Sequence, residues 1–98
     1  MRFGWDGAKN RQNRRKHGVS FETAAQVFAD PFAIVRRDPV ERDEERWQII
    51  GVALGIAVLL VAYTVLEEKG DEIIRIISAR KATPQERKAY AEGHQENG

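Results

Sequence analysis

A chain of 98 residues with a hydrophobic fraction of 42% has room for one compact domain with a single core. The absence of cysteine excludes disulfide bridges and thiolate metal sites and favours a reducing compartment, so we expect a cytoplasmic protein. The formal net charge is +1, yet residues 1–37 carry eight Lys or Arg against three Asp or Glu. This basic third of the chain is compatible with a polyanionic partner.

The first predicted helix has a capping residue at each end. Asp6 is a suitable N-cap, and Gly18 fits the left-handed position after a helix that ends at His17. No apolar segment follows the basic start of the chain, so we do not expect a signal peptide. The last turn, Arg14–His17, is cationic, which suits the negative end of the helix dipole without any ligand.

A second helix and a set of strands follow. Ser20 is expected to cap a helix whose apolar stripe faces the core and which ends at Asp30-Pro31. A polar loop is predicted over residues 38–45. Phe3 and Trp5 predict a brief strand or extended arm at the start of the chain. Four further strands are predicted: Phe32–Arg37, Trp47–Val52 beginning near Arg46, Ile56–Val65, and Ile73–Ala79.

The uncharged run Ile49–Leu66 is long enough for a minimal membrane span. Gly51 and Gly55 interrupt it and Val and Ile are frequent, so we interpret it as two strands joined by a turn and expect no membrane association. Its second strand is apolar on both faces, which predicts that helices or a partner chain cover both sides of the sheet.

The C-terminal helix has a strong start signal in Thr83-Pro84-Gln85-Glu86, with a capping threonine, a first-turn proline and a reciprocal glutamate. We expect it to end near Gly93, with a frayed tail over residues 93–98. The elements together predict one α+β domain over residues 1–98, with N-terminal helices, an antiparallel β-meander sheet and a C-terminal helix.

The last strand ends in two adjacent cations. An uninterrupted period of two predicts one face with Ile74, Ile76, Ser78 and Arg80, and another with Ile73, Arg75, Ile77, Ala79 and Lys81. Each face therefore ends in a positive charge. Such an end is either a solvated rim, which is the commoner case, or a site for an anion.

Cations gather in four places: Arg14 to His17, Arg36-Arg37, Arg46, and Arg75 with Arg80-Lys81. In a meander, Arg46 at the start of one strand can approach Arg80 at the end of another. If both converge with Lys16 and His17, the pocket would combine an imidazole with phosphate-binding groups. Cleavage of RNA by its neighbouring 2′-hydroxyl needs proton transfer and charge stabilisation, and no metal. On spacing alone, dipole compensation explains His17 equally well.

Other chemistries have weaker support. His17 and His94 are far apart in sequence and no acidic cluster has ligand spacing, so we expect no metal site and no cofactor. Neither a glycine-rich phosphate loop nor a nucleophile elbow is present. The turn at His17-Gly18-Val19 is compatible with a helix-turn-helix. However, the basic residues lie on the first helix, and the apolar stripe of the following helix predicts that it is buried, which weakens a DNA-binding interpretation.

Motifs along nearly the whole chain resemble one family. They are Phe3-x-Trp5-Asp6, Lys16–Phe21, Ala29–Pro31, Glu45–Trp47 with Ile50-Gly51, Tyr63-Thr64, and Arg75–Ala82 followed by Glu86-Arg87 and Tyr90. Together they resemble the BrnT toxins of bacterial type II toxin–antitoxin systems. The resemblance implies a small RelE-like fold and a metal-independent ribonuclease that arrests translation. It also implies a BrnA-type antitoxin that forms a hetero-oligomeric complex with the toxin. In this complex only the antitoxin would contact operator DNA directly.

The resemblance also implies site residues. Carried over to matching positions, the catalytic candidates are Lys16, His17, Arg46 and Arg80, and the substrate-binding candidates are Arg75 and Lys81. The cations would bind phosphate and the transition state, and His17 would transfer a proton or support the site. Leu66 stands where many members of the family have an arginine. The alternative is therefore a weakened or inactive toxin-like module that binds an antitoxin and takes part in operon autoregulation.

Overall fold

The computed structural model of the chain describes residues 1–40 and 44–96 and has the predicted α+β class. In chain order the elements are β1 (Arg2–Gly4), α1 (Gly7–His17), α2 (Phe21–Ala25), a 3₁₀ helix (Gln26–Ala29), β2 (Ile34–Arg37), β3 (Trp47–Ala53), β4 (Ala57–Glu68), β5 (Asp71–Lys81) and α3 (Pro84–Glu96). The predicted loop 38–45 and the predicted tail lie partly outside the described residues, at positions 41–43 and 97–98.

The five strands form one sheet with the order β1-β5-β4-β3-β2. Strands β2 to β5 make the predicted antiparallel meander. β1 adds a parallel edge beside β5, with Phe3 opposite Ile74, so the sheet is mixed. A hairpin pattern cannot predict this pairing, because the two strands are separated by most of the chain.

The strands β4 and β5 extend beyond their predicted ends into charged residues. Their ladder continues through the pairs Glu67 with Glu72 and Glu68 with Asp71, and a tight turn at Lys69-Gly70 with positive φ closes it. The uncharged run Ile49–Leu66 lies in β3 and β4, which confirms the two-strand interpretation. Within the described ranges, no helix combines the length and the apolar character that crossing a membrane requires.

The ends of α1 are capped as predicted. The Asp6 carboxylate oxygen Oδ1 accepts hydrogen bonds from the backbone N–H groups of Ala8, at 2.8 Å, and Lys9, at 3.1 Å. Gly18 has a φ of 71° and donates its N–H to the Arg14 carbonyl at 2.8 Å. These local bonds fix both the length of α1 and the position of its cationic last turn.

Asn13 joins α1 to the part of the β5 edge that the short β1 does not reach. Its Nδ2 donates to the carbonyls of Val19 and Ala79, both at 2.8 Å, and its Oδ1 accepts from the Ala79 N–H at 3.2 Å. This buried side-chain amide satisfies backbone groups that a neighbouring strand would otherwise pair. It therefore holds the C-terminal half of α1 against the sheet.

The two faces of the sheet are covered unequally. One face, which we call the helix face, packs beneath α1, α2 and the 3₁₀ helix and carries the larger core cluster, including Phe21, Ile49, Val61 and Ile76. The opposite face contacts α3 through a smaller cluster of buried Ile50, Leu60 and Tyr90. Because residues 59–64 of β4 are all buried, the predicted coverage of both sides of this strand is confirmed.

Asp30 connects elements across the edge of β3. Its Oδ2 accepts a hydrogen bond from the Val52 N–H at 2.8 Å and another from the Tyr90 hydroxyl of α3 at 2.6 Å. Gly51 permits this approach, since a Cβ there would lie 3.0 Å from the same oxygen and 2.9 Å from Val27 Cγ1. The predicted second helix is in fact α2 followed by the 3₁₀ helix, and α3 runs past Gly93 to Glu96.

Candidate functional site

A bulge in β5 determines which cations share a face. Ala62 of β4 pairs with Ser78, but the next residue, Tyr63, pairs with Ile76, so Ile77 is an additional residue on β5. An additional residue reverses the alternation of side chains on the bulged strand. The side chains before and after Ile77 must therefore be assigned to faces separately.

The bulge places Arg75 and Arg80 on the same face of the sheet. Thr64 pairs with Arg75 and Leu60 pairs with Arg80, and Thr64 and Leu60 share a face because they are four residues apart on β4. The prediction that Arg75 and Arg80 lie on opposite faces was wrong, because a strict period of two has no place for an inserted residue. Lys81 pairs with Leu59 and belongs to the helix face.

Two further arginines lie on this side of the sheet. Arg36 pairs with Gln48, which pairs with Ala62, and Arg36 Nε donates to Gln48 Oε1 at 2.6 Å. Arg46 precedes Gln48 by two positions, and the Asp38 N–H donates to its carbonyl at 3.0 Å, which extends the ladder. We call this side the arginine face, defined by Arg36, Arg46, Arg75 and Arg80.

Glu86 binds two of these arginines. Arg80 donates from Nη1 to Glu86 Oε1 at 2.7 Å and from Nη2 to Oε2 at 3.0 Å, a two-point ion pair. Arg36 Nη2 lies 3.3 Å from the same Oε2. The capping box predicted for α3 is confirmed as well, because Thr83 N–H donates to Glu86 Oε1 at 2.9 Å and the Glu86 N–H donates to Thr83 Oγ1 at 3.1 Å.

The charge of Glu86 is fixed by these contacts. The hydrogen bond from Arg80 is the main cause that lowers the pKa of Glu86 to about 2, and the backbone N–H of Thr83 adds to it. The same hydrogen bond raises the pKa of Arg80. The Arg80 guanidinium is therefore held in a fixed orientation. Arg36 and Arg80 together carry two positive charges, and Glu86 neutralises one of them.

Arg46 and Thr64 carry buried polar atoms that have no partner. The register that pairs Trp47 with Tyr63 continues to set Arg46 opposite Thr64. Within the described part of the chain, neither Arg46 Nε nor Thr64 Oγ1 forms a hydrogen bond, although both atoms are buried. Arg46 Nε and Thr64 Oγ1 are therefore two neighbouring polar atoms on the arginine face whose hydrogen-bonding capacity is unused among the described residues.

Lys16 and His17 lie at the edge of β5, at the C-terminal end of α1. They line a cavity of about 320 Å³ with Lys9, Gln12, Asn13, Ile77 and Ser78. Ser78 pairs with Ala62 and so belongs to the arginine face, which makes it the residue that connects the cavity to that face. Arg46, Arg75 and Arg80 are not among the residues that line this cavity.

Comparison with known proteins identifies the family of the chain. The family model described as the ribonuclease toxin BrnT of type II toxin–antitoxin systems matches residues 5–86. The chain belongs to the BrnT toxin family. This places it among the ribonuclease toxins of type II systems, and the matched span runs from Trp5 through the arginine face to Glu86.

A solved structure supports the BrnT fold. The chain is similar to the crystal structure of the Brucella abortus ribonuclease toxin BrnT, with a TM-score of 0.61 and 24% sequence identity over 85% of this chain and 97% of that chain. No curated protein matches the chain. The similarity in three dimensions therefore confirms the α+β architecture, and the family assignment rests on the match to residues 5–86.

Leu66, which stands where many members of the BrnT family have an arginine, lies on the arginine face. Leu66 pairs with Ile73, and it is two positions from Thr64 on the same side of β4. Its side chain is exposed, and Arg75 on the neighbouring strand is two pairs away, which makes it the next residue of β5 on the same face. An apolar group therefore occupies the position at which the resemblance implies an additional guanidinium.

Sequence reasoning missed Arg36 and Glu86 as members of the site. Arg36 belongs to one of the four cationic groups in the sequence but is not among the predicted site residues, and the sequence predicts only a helix-capping role for Glu86. The capping motif located Glu86 correctly, but no local pattern indicates that its second oxygen meets a guanidinium from β2, fifty residues away. Within the described residues, no three His, Cys, Asp or Glu side chains are grouped as a metal ion would require.

Proposed function

We propose that this protein is a metal-independent endoribonuclease that binds RNA on the arginine face. The observation that supports this most strongly is that Arg36, Arg46, Arg75 and Arg80 lie on the same side of the sheet, next to two buried polar atoms that have no partner among the described residues. Guanidinium groups bind phosphate oxygens at two points and keep their charge at any physiological pH. They supply the charge stabilisation that the chemistry needs.

The phosphate to be cleaved would lie over Arg46, Thr64 and Arg75. The guanidinium groups of Arg46 and Arg75 would donate to phosphate oxygens, and the buried Arg46 Nε and Thr64 hydroxyl, which have no partner among the described residues, lie next to this position. Arg80, oriented by Glu86, would stabilise the negative charge that develops when the 2′-hydroxyl attacks phosphorus. Its fixed orientation avoids reorganisation during the reaction.

Proton transfer is assigned to His17. An imidazole is the only type of side chain among the candidates that can both accept and donate a proton near neutral pH. His17 lines the cavity at the edge of β5 together with Ser78, and it would approach the cleavage position from there. Lys16 would bind the RNA backbone there, whereas Lys81 is on the helix face and would contact RNA only outside the cleavage site.

The biological role that we propose is inhibition of translation in the cytoplasm, neutralised by a BrnA-type antitoxin. Exposed apolar side chains, including Ile56, Leu54, Phe32 and Val35, offer surface for such a partner. The toxin and antitoxin would form a hetero-oligomer, and operator DNA would be contacted only through the antitoxin. Leu66 favours a second candidate, a weakened module that retains antitoxin binding and operon autoregulation.

The test is cleavage of total RNA by the purified protein in EDTA, compared with two variants. Arg46→Gln removes a guanidinium from the arginine face, and Arg37→Gln removes one from the opposite face, where it pairs with exposed Glu45 at 3.5 Å. We expect Arg46→Gln to lower the cleavage rate about 100-fold and Arg37→Gln to leave it within twofold. Intact RNA combined with tight antitoxin binding would instead support the non-catalytic candidate.

A further inference from the structure

A second cavity opens on the arginine face at its β1 end. It has a volume of about 320 Å³ and is lined by Gly4, Trp5, Asp6, Leu66, Ile73 and Arg75. The sheet register places it there, because Gly4 pairs with Arg75 and Leu66 pairs with Ile73. We call it the β1 pocket. It includes Arg75 of the Thr64–Arg75 pair, and its other lining residues have no role in the cleavage chemistry proposed above.

The lining of the β1 pocket combines apolar walls with two opposite charges. Leu66 and Ile73 are its apolar side chains on the arginine face, whereas Trp5, which also lines the pocket, packs its ring edge-on against Phe21 of the helix-face core, with centroids 6.2 Å apart. Arg75 supplies hydrogen-bond donors. The backbone N–H groups of Lys9 and Ala8 lower the pKa of Asp6, so this side chain is a carboxylate that accepts hydrogen bonds.

This combination fits a flat heterocycle better than it fits a phosphate. Asp6 would repel a second phosphate, and a single carboxylate is too few ligands for a metal ion. A nucleobase has two apolar faces and an edge with both donors and acceptors, which would match the apolar walls, Arg75 and Asp6. Proteins that recognise single-stranded RNA take up such unstacked bases beside a backbone-binding surface.

We propose that the β1 pocket binds one unstacked RNA base, next to the phosphate held by Arg46, Thr64 and Arg75. The inference rests on the proposed function, and it assigns the pocket to substrate selection. Because Thr64 pairs directly with Arg75, the backbone-binding groups and the pocket are neighbours on the sheet. Arg75 would then connect the two, contacting the phosphate on one side and the base on the other.

Gly4 provides the means to close the pocket without disturbing the fold. It lacks positive φ, and an added Cβ would lie 3.6 Å from Ile73 Cγ2, an ordinary van der Waals distance. Gly4→Val is therefore compatible with β1 and fills part of the cavity. Gly7→Val is the matched control, since its Cβ also has its nearest neighbour at 3.6 Å but does not line the pocket.

The experiment measures binding of short 2′-O-methyl RNA oligonucleotides by fluorescence anisotropy, with one base at a time replaced by an abasic residue. For the wild-type protein we expect one position at which base removal weakens binding about tenfold, as a stacked base contributes about 1–3 kcal/mol. Gly4→Val should weaken binding of the intact oligonucleotide by a similar factor and remove the effect of that abasic position. Gly7→Val should behave as wild type, and thermal melting verifies that all variants fold.

The outcomes separate this inference from the proposed function. If Gly4→Val binds the intact oligonucleotide as wild type does while Arg46→Gln binds it weakly, the pocket holds no base and RNA binding on the arginine face stands. If wild type binds no RNA, both proposals fail. If Gly4→Val affects only binding of the antitoxin, the pocket belongs to a protein partner and the inference is overturned.

Discussion

The two faces of the same sheet serve different purposes. The helix face carries a closely packed apolar core, in which Phe21, Val61 and Ile76 are at most 1% exposed. The arginine face is covered by α3 at one end only, and the remainder carries guanidinium groups and a buried hydroxyl without a partner. Burying polar atoms without partners opposes folding. The helix face therefore carries most of the apolar core, whereas the polar groups of the arginine face are the basis of the RNA binding proposed above.

This difference teaches that residue type alone is a poor guide to function in this protein. Arg80 is a lead candidate from sequence, yet its guanidinium already has a two-point partner in Glu86. Arg46 and Thr64, by contrast, have unused donors on the same side of the sheet. The proposed binding position lies next to these unsatisfied groups, and the Arg80–Glu86 pair fixes the orientation of one guanidinium on the same face.

The largest expected effect comes from the helix face. Phe21→Ala should lower the free energy of unfolding by about 3–5 kcal/mol, because it removes a fully buried aromatic ring and leaves a cavity. Urea denaturation measures this change. Phe32→Ala is the control, since Phe32 is 59% exposed and should cost less than about 1 kcal/mol. Equal losses in the two variants would contradict the placement of the core.

Leu66→Arg should sharpen the comparison by adding a cation to the arginine face. We expect the rate of RNA cleavage to rise about 100-fold, because a charge-assisted contact to the transition state contributes about 2–4 kcal/mol. Val65→Arg is a close control, since Val65 and Leu66 are 41% and 42% exposed and lie on opposite faces. Activation by both substitutions would indicate nonspecific attraction of RNA to positive charge.

The elements of the sheet show what the sequence could predict. Caps were predictable, because Asp6, Gly18 and Thr83 act on backbone groups within a few residues of themselves. The bulge at Ile77 was not, because neither glycine nor proline marks it. The candidate residues Arg46, Arg75 and Arg80 share a face, which could not be predicted because it depends on this bulge and on pairing across three strands.

Acid should affect the arginine face through Glu86. The pKa of this carboxyl is lowered from 4.5 to about 2, so its contribution to stability is complete above pH 4.5 and is lost as the pH falls towards 2. With allowance for the partial exposure of Arg80, we expect wild type to lose about 2 kcal/mol more than Glu86→Gln over this range. Urea titrations at pH 6 and pH 2.5 measure the difference, and parallel losses would show that the ion pair contributes nothing.

The smallest expected effect tests whether the two faces unfold together. Tyr90 on α3 donates to Asp30 Oδ2, and the same oxygen accepts a hydrogen bond from the Val52 N–H at the edge of β3. Because Asp30 directly follows the 3₁₀ helix, its carboxylate links α3 on the arginine face to the 3₁₀ helix on the helix face. Tyr90→Phe removes that donor and should lower the free energy of unfolding by about 1 kcal/mol at pH 7. Tyr63→Phe is the control, because the Tyr63 hydroxyl forms no hydrogen bond within the described residues and its loss should cost less.

The pH dependence of the same link distinguishes a specific hydrogen bond from general packing. Burial and Asp30 raise the pKa of Tyr90 to about 12, above the ordinary value of 10.0, so its stabilising effect is complete below pH 10 and declines as the pH rises towards 12. The difference between wild type and Tyr90→Phe should therefore shrink across this range. If α3 detached at a lower urea concentration than the sheet, the faces would be separate folding units, and the single transition expected of a small domain would be absent.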